Sequence, residues 1–423
     1  MPETDIAKFS GKRRFLIMLL LVISGETIFF LPFILPRVFR PTLLDVFNLT
    51  NFELGSSFSA YGIVAMVSYF FGGPLADRFA ARNLMTWALI STAIGGLIMA
   101  TIPSFMVLTF VYAFWGMTTI LLFWSALIRA TREWGGIGSQ GKAFGLLDAG
   151  RGLAAALIST AGIVLMVGLL PEQVDNATLE ARTVSFQWVI LLFSLFTLLV
   201  AGLVWVILPA STIKGPKTFS LGFEGIKKIL KMRVVWLQSI IILCGYVGYK
   251  ITDDFSLYAQ DVLGFNEVKA AAVGTLGLFL RPIVAITAGY LADRYMTSKL
   301  ITISFLFLIV GGLVTGSGIL QPGFLFPYII IFISVAIGVY SLRPLYFAVM
   351  EEGEIPFSLT GTAVGIVSVV GYTPDIFVGP LMGLLLDHSP GEVGHRHLFL
   401  FLTLFACFGL VASILFRKLK TKK

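Results

Sequence analysis

Nine ionisable side chains stand inside apolar runs of this 423-residue chain: Glu26, Asp148, Arg151, Lys250, Asp253, Asp254, Arg281, Arg343 and Asp375. A charge in hydrocarbon costs at least about 2.5–3.5 kcal/mol on insertion scales, so each of these is retained for a partner or for a task. Five are acids and four are bases, a near balance that permits internal pairing. Local spacing predicts Lys250 with Asp254 at i,i+4 and Asp148 with Arg151 at i,i+3. Arg281, in Leu278-Phe279-Leu280-Arg281-Pro282, has no acid within a helical turn. It is the leading candidate to bind an anionic group, because a planar guanidinium matches a carboxylate or phosphate with two parallel hydrogen bonds. The competing reading is a salt bridge to Glu26 or Asp375 on another helix. Lys250, Arg151 and Arg343 are the further candidates for anion contact, and Tyr246, Tyr249 and Tyr372 offer hydroxyls and rings beside them. The acids allow a second chemistry. A carboxyl group in a low-dielectric cavity takes up and releases a proton near neutral pH, which makes Glu26, Asp254 and Asp375 candidates for proton coupling.

The elements that must position these groups are membrane spans. Hydrophobic residues make up 57% of the chain and charged residues only 13%, against about 25% charged in a soluble domain. Mean hydropathy is +0.92. Such a chain cannot cover itself with a water-compatible surface, which excludes a soluble enzyme. Apolar runs between polar or Pro/Gly breaks predict spans near 14–37, 54–73, 84–102, 105–128, 143–169 and 186–208. Six more follow near 235–261, 267–291, 299–319, 325–349, 359–386 and 397–416. The expected fold is therefore all-α and integral to the membrane, with twelve transmembrane helices in two six-helix bundles related by a pseudo-twofold axis. The expected division is an N-terminal bundle over 1–208, a linker over 209–234 with a short basic amphipathic helix, and a C-terminal bundle over 235–423.

Lys and Arg collect in alternate loops, which places both termini and the linker in the cytoplasm and makes the bacterial inner membrane the expected residence. The outer loops hold only Arg37, Arg40, Arg182, Lys269 and Arg396. The net charge of +8 thus reflects topology, and no nucleic-acid partner is expected. Cys244 and Cys407 stand in apolar runs without disulfide or zinc spacing, and His388, His395 and His397 fall near the last outer loop. No metal site, cofactor, phosphate-cradling loop or nucleophile–base arrangement is expected, so the chain does not read as an enzyme.

One polar string occurs twice. Gly73-Pro74-Leu75-Ala76-Asp77-Arg78 returns 216 residues later as Gly289-Tyr290-Leu291-Ala292-Asp293-Arg294, each copy between two spans. With twelve spans and cytoplasmic ends, this resembles the major facilitator superfamily, whose signature Gly-x-Leu-Ala-Asp-Arg-x-Gly-Arg-Lys follows helix 2. Here its tail is degraded to Phe79-Ala80-Ala81-Arg82. The resemblance implies a cytoplasmic gate of Gly73, Asp77, Arg78, Arg82, Gly289, Asp293 and Arg294. The two glycines would allow close helix packing there. Asp77 would dock on the helix starting near Ser358-Thr360-Gly361 and Asp293 on the one starting near Gly141-Ala143. Tyr112 stands where drug–proton antiporters of the family carry Arg, and Gly150-Arg151-Gly152 replaces their Gly-Pro motif. The subgroup resemblance is instead to nitrate and sugar-phosphate permeases. What this implies is a monomeric secondary active transporter in membrane lipid, moving a small polar, anionic organic solute by alternating access, proton-coupled or by exchange. The alternatives are a proton-coupled exporter of a larger amphipathic compound and a non-transporting receptor or scaffold of the same fold.

Overall fold

In lipid a spanning segment must satisfy its own backbone hydrogen bonds, so apolar runs of this length become helices. The computed structural model describes residues 11–135, 140–170, 177–210, 223–292, 294–319, 325–355 and 360–421. Within the helices it leaves the side chains at 73–74, 77–78, 132, 140–142, 223–226, 325, 351, 360–362, 364–365 and 420–421 undescribed. The first half runs α1 (Gly11–Thr27), a π-helical turn at Phe30–Ile34, α2 (Leu35–Val38), α3 (Arg40–Phe47), α4 (Asn51–Arg78) and α5 (Ala81–Met99). It continues with α6 (Phe105–Gly116), a π-helical segment at Met117–Trp124, α7 (Ser125–Gly135), α8 (Gln140–Leu169) and α9 (Leu179–Ile207). After α10 (Phe223–Leu230), the second half runs α11 (Arg233–Ile251), a 3-10 turn at Thr252–Asp254, α12 (Phe255–Asp261), α13 (Glu267–Ala292) and α14 (Thr297–Ser317). It ends with α15 (Leu325–Glu352), α16 (Thr360–Gly371), α17 (Pro374–His388) and α18 (Glu392–Thr421).

Among the described residues, ten helical segments are long and apolar enough to cross a bilayer, and α1 with Phe30–Val38 makes an eleventh across a 44° bend. α5 is of spanning length too, and Arg82 and Asn83 in its first turn lower its hydropathy. These segments coincide with the twelve expected runs. Pro32, which lacks an N–H to donate, lies in the π turn that bends the first span. Pro282 and Pro344, in contrast, sit inside the continuous helices α13 and α15. Helix packing repeats at an interval of six spans. α5 packs on α9 as α14 does on α18, α4 on α6 as α13 does on α15, and α1 on α8 as α11 does on α16. Large apolar side chains such as Phe70, Phe110, Val164, Leu199, Val206 and Val310 are more than half exposed, a surface that only lipid can cover. In α10, Lys227 and Lys228 are exposed while Ile229 is buried, and the helix packs against α16 and α11. Residues 211–222 of the expected linker lie outside the described residues.

Two seams join the halves, α4 on α17 and α8 on α13. Along the first, glycine brings two backbones into contact: a Cβ at Gly55 would stand 2.1 Å from the carbonyl oxygen of Gly379. The end of this seam is closed by a carboxylate. Asp387, near the end of α17, accepts hydrogen bonds from the backbone N–H groups of Asn51 (3.0 Å) and Phe52 (2.7 Å) and from Asn51 Nδ2 (3.1 Å). It supplies the anion that the first turn of α4 attracts, while Thr50 and Glu53 complete a capping box on the same turn. Asp387→Ala should cost about 1 kcal/mol, read as a lower melting temperature in detergent, and should broaden spin-label distances between the starts of α4 and α18. An unchanged distance distribution would mean that the seam closes without Asp387.

Candidate functional site

The buried charges form one network in the middle of the helix bundle. Glu26, in the last turn of α1, is buried and bridges two guanidinium groups. Its Oε2 accepts from Arg151 Nε at 2.8 Å and its Oε1 from Arg281 Nη1 at 3.1 Å. Arg151 comes from α8 and Arg281 from α13, so one carboxylate ties three spans and both halves. Small residues make the room: a Cβ at Gly152 would stand 3.3 Å from Arg281 Cγ. The Arg151 guanidinium also lies 5.5 Å from the ring centres of Phe29 and Trp124, and its Nη1 is 3.7 Å from Asp148, whose side chain is 60% exposed.

A second node centres on the break between α11 and α12. Arg37 of α2 donates to Asp253 at 2.5 Å and to the Tyr249 hydroxyl at 3.0 Å. Lys250 stands 3.7 Å from Asp253 and 3.5 Å from Asp375. The Tyr246 hydroxyl donates to Asp375 at 3.1 Å, and the Tyr246 ring meets those of Tyr249 and Tyr372. The phenyl rings of Phe33 and Phe58, from the first half, lie 4.5 and 5.1 Å from the Lys250 ammonium.

A further cation beside the second node is Arg343, half-buried on α15. Its guanidinium lies 4.2 Å from the ring centre of Tyr249, which Arg37 approaches at 4.5 Å. Among the described residues no carboxylate stands within ion-pair distance of Arg343, and its buried Nη1 has no hydrogen-bond partner. Arg37, Arg151, Lys250 and Arg281 each have a carboxylate within ion-pair distance, whereas Arg343 has none and the buried Arg40 has only the Asn51 amide oxygen.

The structure thus rearranges several expectations. Arg281, expected to await an anion, is paired with Glu26. Lys250 pairs with Asp253 instead of Asp254, because the helix ends at Ile251 and the 3-10 turn carries Asp254 away from it. Arg37 and Arg40, expected in a solvated outer loop, are both buried. Arg40 Nη2 donates to Asn51 Oδ1 at 2.9 Å, beside the Asp387 contact. Their signal was the neighbourhood Leu35-Pro36-Arg37-Val38-Phe39-Arg40-Pro41, in which no uncharged polar residue accompanies the arginines. His395, also expected near a solvated loop, is fully buried against Asp254 and Asp261. Toward the same end Arg182 pairs with Glu267 at 2.7 Å, a further tie between the halves.

Much of the expected gate lies outside the described residues: the surroundings of Gly73, the side chains of Asp77, Arg78 and Thr360, and all of Asp293 and Ser358. Of the rest, Arg82 lies 4.5 Å from the Trp205 ring centre and Arg294 lies 4.8 Å from that of Tyr290. Among the described residues, a Cβ at Gly289 would meet nothing within 4 Å. α13 meets α8 about two turns earlier, at Arg281 and Pro282. Among the described residues no group of His, Cys, Asp and Glu converges on a metal position.

With this geometry established, the relatives become informative. The family model of the Major Facilitator Superfamily matches residues 15–374. Inner membrane protein YqcE of Escherichia coli (strain K12) is 27% identical over 420 residues, covering 97% of this chain and 96% of that protein. Inner membrane protein YihN of the same strain is 24% identical, with 96% of each covered. Among solved structures, a bacterial homologue of the human lysosomal transporter Spinster superposes with a TM-score of 0.69 at 16% identity, covering 97% of this chain and 99% of that one. A point mutant of the nucleoside transporter NupG superposes with a TM-score of 0.71 at 13% identity, covering 96% and 99%. These two likenesses speak for the fold alone.

Removing one partner of a buried ion pair strands the other, which costs about 3–5 kcal/mol. Glu26→Gln strands two arginines and should lower the thermal stability of the detergent-solubilised protein severely. Arg343→Gln, which breaks no ion pair, should cost no more than about 1 kcal/mol. Equal melting temperatures for the two variants would contradict this account of the network.

Proposed function

We propose a function on one premise: the chain belongs to the Major Facilitator Superfamily. It is a multi-pass membrane transporter, and in our reading it is a secondary active one that moves a small polar, anionic organic solute by alternating access, proton-coupled or by exchange. The observation that carries this reading is Arg343, a half-buried cation without a carboxylate partner among the described residues, set over the Tyr249 ring, on which Tyr246 stacks with Tyr372 beyond it. An anion bound there would give Arg343 the partner it lacks among the described residues, and the tyrosine hydroxyls and rings would orient it. Arg281, Lys250 and Arg151 would then shape the field of the site, each already holding a carboxylate.

For the proton, the reading favours Asp375. Glu26 accepts from two guanidinium groups, so neutralising it would strand both. Asp375 faces one ammonium at 3.5 Å and one phenol, and has the least to lose by protonation. In the proposed orientation both termini and the linker are cytoplasmic, the repeated Gly-x-Leu-Ala-Asp-Arg turns gate the inner mouth, and the protein acts as a monomer. The alternative of an exporter for a larger amphipathic compound has one observation behind it. An apolar cavity of about 320 Å³ lies between α13 and α15, lined by Phe255, Phe265, Leu276, Tyr328 and Phe332, with Lys269 at its edge.

Thermal-shift screening of the purified protein against organic anions and amphipathic compounds separates these readings. An anionic hit should stabilise the parent and leave Arg343→Gln unshifted. Equal stabilisation of both would remove Arg343 from the site, and hits confined to amphipathic compounds would favour the exporter. In proteoliposomes loaded with an anionic hit, Asp375→Asn should retain counterflow exchange and lose accumulation driven by a pH gradient. A variant that still accumulates the solute would exclude Asp375 as the coupling group.

A further inference from the structure

His395 stands in the first turns of α18 with no exposed surface, and both of its ring nitrogens face carboxylates. Nδ1 is 2.7 Å from Asp254 Oδ2 and Nε2 is 3.2 Å from Asp261 Oδ2. A neutral imidazole carries one N–H and one lone pair, so it can donate to only one of the two. The three groups are therefore satisfied in two ways. Either the ring is an imidazolium between two carboxylates, or it is neutral and one of the two carboxyls holds the proton.

The triad also has a direction. Asp261, at the end of α12 expected to face outward, keeps 33% of its side chain exposed, whereas His395 and Asp254 are fully buried. On the interior side, Asp254 Oδ1 is buried with no hydrogen-bond partner. The adjoining residue of the same 3-10 turn is Asp253, which holds Arg37 and Lys250, and Lys250 in turn reaches Asp375. A water-exposed carboxyl, a buried imidazole and a buried carboxyl thus lead in sequence from the surface to the edge of the central network. The other groups around the histidine are the Tyr258 ring at 5.1 Å and Glu392 one turn earlier, the latter held by Arg396. From the first half, Arg40 places its charge near Asp254, with Asn51 and Asp387 behind it.

We propose that Asp261, His395 and Asp254 form a proton relay from the outer surface into the interior of the second half. The transfer balances without any other reactant. The carboxylic acid of Asp261 gives its proton to Nε2, Nδ1–H gives its proton to Asp254, and the ring exchanges one neutral tautomer for the other by way of the imidazolium. One proton has then moved from Asp261 to Asp254, and no charge has been created. The inference rests on the proton-coupled form of the proposed function, and its test needs no solute.

The test is time-resolved infrared spectroscopy of the full-length protein in lipid after a flash-induced proton release, reading the carboxyl band that Asp254→Asn removes. In the parent this band rises as Asp254 is protonated. His395→Gln and Asp261→Asn should each slow its rise by about tenfold. Asp261→Asn changes only the partly exposed end, so it serves if His395→Gln does not fold. A histidine with a purely structural role would lower the melting temperature and leave the rise unchanged. An unchanged rise in Asp261→Asn, or no titrating band assignable to Asp254, overturns the relay. Failure of the anion screen would leave this result untouched, and failure of the relay would leave the anion reading standing.

Discussion

A carboxylate shared by two guanidinium groups is the contact on which the membrane core depends. Glu26 bridges Arg151 and Arg281, and through them α1, α8 and α13. In a medium without water neither arginine can remain uncompensated, and neither can leave the site without carrying its charge through hydrocarbon. The apolar packing around them is generic by comparison. Any well-filled set of helices would shield lipid-facing side chains, whereas this triad requires three particular spans in one register.

The same logic extends outward. Arg37 with Asp253, Arg182 with Glu267 and Asp387 with the start of α4 all join the first half to the second. A pair that spans the halves must be broken or exchanged whenever the halves move relative to each other. Links confined to one half, such as Lys250 with Asp375 and His395 with Asp254, can persist through such a motion. The charges therefore divide into those that hold a conformation and those that are carried intact from one conformation to the next. Arg343 belongs to neither group, since it has no carboxylate partner among the described residues.

Most of the architecture was legible in the chain. Apolar runs and their breaks locate helices because each span must close its own hydrogen bonds, and the doubled Gly-x-Leu-Ala-Asp-Arg string announces that the halves are related. The identities of the buried charges were legible for the same reason, since a charge in an apolar run is conspicuous. Their partners were legible only in part: spacing gives Asp148 with Arg151, and Glu26 stood as one of two acids that could meet Arg281. Glu26 and Arg281 are 255 positions apart, and local spacing carries no information about contacts of that kind. The expected pair of Lys250 with Asp254 failed because the rule assumes an unbroken helix, and the 3-10 turn at Thr252–Asp254 rotates the second aspartate toward α18. Arg37, Arg40 and His395 were misplaced by a related assumption, that polar residues near the end of an apolar run belong to water. Here the ends of the spans are themselves buried by neighbouring helices.

The contact of Gly55 with Gly379 has one more consequence. Where helices interlock through large side chains, sliding or tilting must first pry rotamers apart, and that resistance acts as friction. At Gly55, Gly62, Gly379 and Gly383, α4 and α17 instead meet with no glycine side chain to unlatch. Such a seam behaves as a plain bearing: it fixes how near the two helices come while leaving them free to roll. The barrier to motion would then reside in a few electrostatic clasps at the rim, where a single proton or a bound ion is large enough to matter.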